Sequence, residues 1–185
     1  QQLLETMQLG GSLTLIFIYL ILAWSFSSYL WPLAVMSAIP LALTGAIVGH
    51  WVIGVDIGAM SMLAFFALAG VIVNDSIVLV SFLRREQAAG LSLTAAVRSA
   101  ALSRFRAVLL TSLTTIAGLS PLMFENFSLA IYMVPIAVTL CFGLAFGTVL
   151  VLLVVPAMIV ITEQLKRRVT NLLPAIRRMT IQEGN

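Results

Sequence analysis

Charged residues leave long gaps along this chain. None occurs between Glu5 and Asp56, and Glu125 is the only one between Arg106 and Glu163. About 20 consecutive apolar residues cross the hydrocarbon core of a bilayer as a helix, so gaps of this size are membrane-sized. The pattern predicts an all-α, polytopic membrane helix bundle of about five transmembrane helices. The spans run from about Ser12 to Leu30, Trp31 to Ile53, Ile57 to Leu83, Phe105 to Phe124 and Leu129 to Ile161. Trp24, Tyr29, Trp31 and Trp51 fall near predicted ends, where interfacial aromatics belong. Between the third and fourth spans, Leu93, Val97, Ala100 and Ala101 recur at helical spacing, with Arg98 and Arg104 between them. This predicts one amphipathic helix over about 91–103, lying along the cytoplasmic side of the membrane. Residues 1–11 then precede the transmembrane domain of 12–162, and 163–185 form a basic tail.

Composition supports the same class. The chain is 61% hydrophobic and 9% charged, against roughly 25% charged residues in soluble domains, and its mean hydropathy is +1.12. Five spans account for most of its 185 residues and leave little for an extramembrane domain. The net charge of +3 does not indicate nucleic-acid binding: Lys and Arg lie between or after the apolar segments, where they face lipid headgroups, and no basic-aromatic motif accompanies them. Cys141 is the only cysteine, so no internal disulfide forms, and it reads as a packing residue. The chain starts Gln1-Gln2, without a methionine or the basic region of a signal peptide, and is expected to be cut from a longer polypeptide.

Orientation follows from the cations. Arg84, Arg85, Arg98, Arg104 and Arg106 occupy one loop, and Lys166, Arg167, Arg168, Arg177 and Arg178 the tail; both belong in the cytoplasm. Five spans then place the N-terminus outside, together with the Gly49–Asp56 and Glu125–Ser128 loops, none of which carries Lys or Arg. Gly45 with Gly49, and Gly143 with Gly147, set small residues four apart, which allows helices to approach closely. Pro40, Pro135 and Pro156 lie inside spans, and each removes a backbone donor, inviting kinks.

Asp75 is the one ionisable side chain deep inside a span. It lies nine residues before Arg84, or roughly 13 Å from that end at 1.5 Å per residue. An aspartate near the bilayer centre costs on the order of 2.5–3.5 kcal/mol on insertion scales, so it faces protein or water and marks either a functional site or a structural hydrogen bond. Asn74 and Ser76 flank it, and Thr111, Ser112, Thr114 and Thr115 offer hydroxyls in the next span. Arg104 and Arg106 read equally as interfacial anchors, and His50, beside Trp51 at an outer helix end, reads as an interfacial residue rather than a ligand. With one His, one Cys and no paired carboxylates within the spans, no metal site or cofactor is expected. No phosphate-cradling Gly-Lys motif or zinc-protease His-Glu pair points to an enzyme.

Two long motifs carry a family resemblance: the run from Gly70 to Val80 with Asn74-Asp75-Ser76 at its centre, and the run from Arg104 to Leu122 after the basic loop. In that order and separation they resemble the second half of resistance-nodulation-division (RND) permeases of the AcrB type, and the ending Gly143–Pro156 is similar to that family's last span. The resemblance implies spans eight to twelve of a twelve-span, proton-driven transporter of the bacterial inner membrane, with a periplasmic N-terminus and a cytoplasmic C-terminus. The cargo would be drugs or other small amphiphilic compounds. It implies as partners the first six spans and periplasmic domains of the same permease, a trimeric assembly, a periplasmic adaptor and an outer-membrane channel. In such proteins a proton relay joins carboxylates of the first half to groups that align here with Asn74, Arg104 and Thr111, with Asp75 adjacent. Multidrug exporters often carry Lys at the place of Asn74 and Asn at the place of Asp75, so this chain departs from the pattern at the centre of the relay.

Two alternatives share the same spans: a membrane scaffold or assembly subunit without transport, and a lipid- or protein-export relative of the same superfamily. The orientation is testable by itself. Single cysteines replacing Ser92, Ser128 and Thr170 in a Cys141→Ala background are expected to react with an impermeant thiol reagent in intact cells only at position 128. Labelling at position 92 or 170 without permeabilisation refutes the orientation.

Overall fold

The computed structural model describes the backbone of residues 2–124 and 130–182, with side chains described for 5, 6, 8–124 and 130–165. It consists of helices α1 (Gln2–Phe26), α2 (Leu30–Met36), α3 (Ala38–Ile53), α4 (Ala59–Ala88), α5 (Leu93–Leu119) and α6 (Ala130–Gln182), with a 3₁₀ turn over Ser120–Phe124 after α5. Five stretches are long and apolar enough to cross a membrane: Gln8–Phe26, Leu30–Ile53, Ala59–Ala88, Leu93–Phe124 and Ala130–Leu165. The fold is thus the expected all-α bundle of five spans.

Local chemistry explains where the helices stop. Ser27, at φ 44°, ends α1, and its N–H returns to the Trp24 carbonyl at 3.2 Å. The second span is broken into α2 and α3 at Ser37. Pro40 is the cause, because it supplies no N–H to the carbonyl four residues earlier, that of Met36, and its ring crowds that carbonyl. Gly54 closes α3 in the left-handed region at φ 75°, where a Cβ is disfavoured, and its N–H bonds the His50 carbonyl at 3.0 Å. Gly90, at φ 96°, turns the chain after α4, and Ser92 caps α5 by accepting the Ala95 N–H at 3.4 Å.

α6 lies at the centre, touching α2, α3, α4 and α5. Its neighbours alternate with its sequence. Phe142 and Phe146 fill the space left by Gly49 and Gly45 of α3, while Gly143 and Gly147 receive Leu68 and Ile72 of α4. The first pairing is antiparallel and the second parallel, which fixes the direction of three spans. Around this axis Leu68, Ile72, Leu79, Val80, Leu144, Val151, Val155 and Ile159 form a continuous buried core with Ala38, Ala42 and Ala46. α1 joins it mainly through Leu22 and Phe26, and its Leu13, Ile16, Phe17, Leu20 and Ile21 stay exposed.

Residues 93–119 are one unbroken helix, so the stretch read as a surface helix and the span after Phe105 are continuous in the structure, with Arg98, Arg104 and Arg106 in the interior of α5. No Gly or Pro occurs between Leu93 and Ala117 to interrupt it, and the buried Ala96, Ala100, Val108 and Ser112 keep one four-residue stripe against the bundle throughout. The backbone of α6 likewise runs past Pro135 and Pro156 and into the expected tail. The Glu125–Ser128 loop and the side chains of Lys166, Arg167, Arg168, Arg177 and Arg178 lie outside the described residues.

A Cβ on Gly45 would collide with the Cβ of Phe146, an atom fixed to the backbone, whereas nothing lies within 4 Å of one on Gly118. Gly45→Ala is therefore expected to destabilise the bundle by about 1–3 kcal/mol, and Gly118→Ala to be neutral or stabilising by up to about 1 kcal/mol. Unfolding by sodium dodecyl sulfate in mixed micelles, followed by helical circular dichroism, measures both; equal effects would contradict the packing.

Candidate functional site

α4 carries the Asn74-Asp75-Ser76 triplet, and helical geometry separates its members. The buried positions Leu68, Ile72, Ser76, Leu79 and Leu83 form the face that meets the bundle. At about 100° per residue, Asp75 sits on the shoulder of that face and Asn74 beyond it. Accordingly Ser76 is fully buried, with its hydroxyl donating to the Ile72 carbonyl at 2.7 Å, Asp75 is half-buried, and Asn74 is exposed. Asn74 lines a cleft of about 260 Å³ between α1 and α4, whose other walls are Ile18, Ile21, Leu22, Gly70, Val73 and Ile77. The Asp75 carboxyl has no hydrogen-bond or ion-pair partner among the described residues.

The next span presents its hydroxyls in two ways. On the exposed side of α5, Thr111 donates to the Ala107 carbonyl, Thr115 to the Thr111 carbonyl and Thr114 to the Leu110 carbonyl, each at 2.9 Å. These bonds run back to the preceding turn, so each hydroxyl is satisfied within its own helix. On the buried side, Ser112 reaches across to Thr148 of α6 in a direct hydroxyl–hydroxyl bond. Cys141 of α6 also packs inward, its thiol directed at the Ile116 carbonyl at 3.8 Å.

Arg104 continues the buried stripe of α5. Its guanidinium lies 5.5 Å from the centre of the Phe82 ring of α4, and its Nε is buried without a hydrogen-bond partner among the described residues. At the same end of the bundle, Arg84 stands 5.6 Å over the Trp31 ring and donates to the Ser25 carbonyl at 3.1 Å, tying α4 to α1 and α2. Of the four residues singled out from sequence, the structure places Asn74 and Asp75 on α4 and Arg104 and Thr111 on α5. No hydrogen bond joins any of them to another among the described residues. No group of three His, Cys, Asp or Glu side chains gathers as a metal would need, again among the described residues. What remains chemically competent at mid-span is one carboxyl, able to hold or release a proton as its surroundings change.

The AcrB/AcrD/AcrF family model matches residues 1–163. The chain belongs to that family. Members of the AcrB/AcrD/AcrF group are transporters of the RND type rather than enzymes. The chain is 34% identical over 152 residues to the cobalt-zinc-cadmium resistance protein CzcA of Cupriavidus metallidurans, covering 82% of this chain and 14% of that one. It is 33% identical over 153 residues to the swarming motility protein SwrC of Bacillus subtilis, with 82% and 14% covered. It is 30% identical over 152 residues to the multidrug resistance protein MdtC of Edwardsiella ictaluri, with 82% and 15% covered. Among solved structures, a heavy metal efflux pump matches with a TM-score of 0.72 at 27% identity, over 81% of this chain and 15% of that one. The chain therefore spans about a seventh of the length of these relatives.

Two features were not anticipated from sequence. One is the buried Ser112–Thr148 pair. The other is His50, read as interfacial but only 3% exposed, whose ring joins the end of α3 to α6. The hint was there in each case: a polar residue isolated in an apolar stretch, facing another such residue once the register of α6 is known. Thr148→Val, which leaves Ser112 without its cross-helix partner, is expected to cost about 1 kcal/mol. Thr111→Val should cost less, since its bond lies within one turn. Both are read by the same detergent unfolding, and a larger loss for Thr111→Val would contradict this division of roles.

Proposed function

We propose that this chain forms spans eight to twelve of a proton-driven RND permease of the bacterial inner membrane, with its N-terminal end periplasmic and its C-terminal end cytoplasmic. The rest of the permease supplies the first seven spans and the periplasmic domains, and the trimer works with a periplasmic adaptor and an outer-membrane channel. The observation that carries the reading is Asp75. It is the sole charged side chain of α4 between Ala59 and Leu83, half-buried on the shoulder of the helix face that meets the bundle and unpartnered among the described residues. A carboxyl held at that depth needs a proton or a partner, and a partner carboxylate or cation from the first half would complete it. Arg104 and Thr111 on α5 take the places that the family's relay gives to its Arg and Thr, and Asn74 removes the cation that many multidrug exporters carry.

Drugs or other small amphiphilic compounds are the proposed cargo. The likeness to a cobalt-zinc-cadmium resistance protein and to a heavy metal efflux pump supports a second reading, in which divalent heavy-metal cations are exported by the same coupling.

In the complete permease, Asp75→Asn preserves shape while removing the titrating group. It is expected to abolish substrate efflux at unchanged membrane abundance, whereas Asn74→Ala is expected to have the smaller effect. Efflux of a fluorescent amphiphile and of zinc, assayed beside immunoblots of the membrane fraction, tests coupling and cargo together. Undiminished efflux of both by a well-expressed Asp75→Asn protein overturns the relay role.

A further inference from the structure

The end of α3 holds a second polar centre, remote in sequence from Asp75 and independent of the coupling proposed there. The His50 ring is 3% exposed and the Thr139 hydroxyl group belongs to a fully buried residue. His50 Nδ1 lies 2.9 Å from the Val55 carbonyl oxygen, and Nε2 lies 2.8 Å from Thr139 Oγ1. Thr139 Oγ1 in turn lies 2.8 Å from the carbonyl oxygen of Pro135, one turn back on α6. We propose that His50 is a proton-binding site at this end of the bundle, and that the Thr139 hydroxyl changes partner when the proton arrives.

Donor and acceptor logic carries the proposal. A carbonyl only accepts, so Nδ1 must carry a hydrogen to bond Val55. The hydroxyl has one hydrogen. If it is given to Pro135, Nε2 must also be protonated, and the ring is an imidazolium with both N–H groups satisfied. If the ring is neutral, Nε2 is an acceptor and the hydroxyl must turn from Pro135 to meet it. The Pro135 carbonyl tolerates the loss, since within α6 it also faces the backbone N–H of residue 139. The arrangement therefore offers a satisfied geometry for each protonation state, separated by rotation about one Cβ–Oγ bond.

The surroundings also suit a proton. His50 borders a cavity of about 360 Å³ whose lining also includes Trp51, Val55 and Asp56. Asp56 is the charged side chain among those lining that cavity. The other packed elements bring no charge: α3 has no Asp, Glu, Lys or Arg, the first turn of α4 has none, and α6 has none from Ala130 to Thr162. The titratable side chains of that stretch of α6 are Tyr132, which is exposed, and Cys141, which faces α5.

His50 is the only histidine of the chain, so ¹⁵N-histidine labelling reports this site alone. Solid-state NMR of the full 185-residue chain in phospholipid vesicles, titrated from about pH 9 to about pH 4 to bracket histidine ionisation, should show a neutral ring protonated at Nδ1 that becomes doubly protonated on acidification. Thr139→Val deletes the partner of Nε2, so the ¹⁵N signal of Nε2 should move while that of Nδ1, held by the Val55 carbonyl, should not. Thr139→Ser should retain the wild-type titration. A neutral ring protonated at Nε2, a ring that stays neutral throughout, or an Nε2 signal unmoved by Thr139→Val at unchanged helical circular dichroism each overturns the proposal. If Thr139→Val does not fold, the wild-type tautomer and the Thr139→Ser titration still decide.

Discussion

The bundle depends on how closely α6 can approach two helices at once. Within lipid the hydrophobic effect does not drive helices together, so association rests on van der Waals contact and on hydrogen bonds across interfaces. α6 meets this constraint by placing a phenylalanine and a glycine side by side, twice, one turn apart: Phe142-Gly143 and Phe146-Gly147. The rings enter the glycine gaps of α3, and the glycines accept the branched side chains of α4. Large against small and small against large give two interfaces of opposite direction on one helix. The cross-helix polar bonds follow from this register, since His50 meets Thr139 and Ser112 meets Thr148 only when α6 is set at this height.

Much of the architecture was legible because lipid imposes a simple rule on sequence. Charges cannot be spread through a span, so the charge-free gaps marked five membrane-crossing stretches, and the Gly45/Gly49 and Gly143/Gly147 spacings pointed to close contact. Details governed by short-range backbone chemistry were less visible. Three interior prolines looked equivalent on paper, yet the helix breaks only near Pro40, and α6 continues past Pro135 and Pro156. The stretch before Arg104 has surface-helix spacing but contains nothing that ends a helix, so it became the first half of α5. Amphipathic spacing reports which side of a helix is apolar and is silent on where the next helix begins.

The polar residues divide along the same line. Asp75 stood out because a charge in an apolar run is costly wherever the run packs. Its geometric relation to Arg104 and Thr111 could not be read, because it depends on the rotation of α4 against α5 and on spans that another part of the permease would supply. His50 was expected to be interfacial from its position near a predicted span end, whereas its burial and its bond to Thr139, 89 residues away, are tertiary features. Hydroxyls on the outer side of α5 bond to their own turn, so that surface presents side-chain oxygens with no unmet demand.

The interruption at Ser37 has a mechanical meaning. Between α2 and α3 the proline has removed a backbone bond in advance, and here, unlike at Pro135 and Pro156 of α6, the helix is interrupted. Below the joint, Trp31 is clasped by Arg84; above it, Gly45 and Gly49 are locked against α6. Two sets of contacts separated by a segment that lacks a backbone bond place the natural bending point of this span at Ser37, away from the glycine contacts and the histidine beyond them.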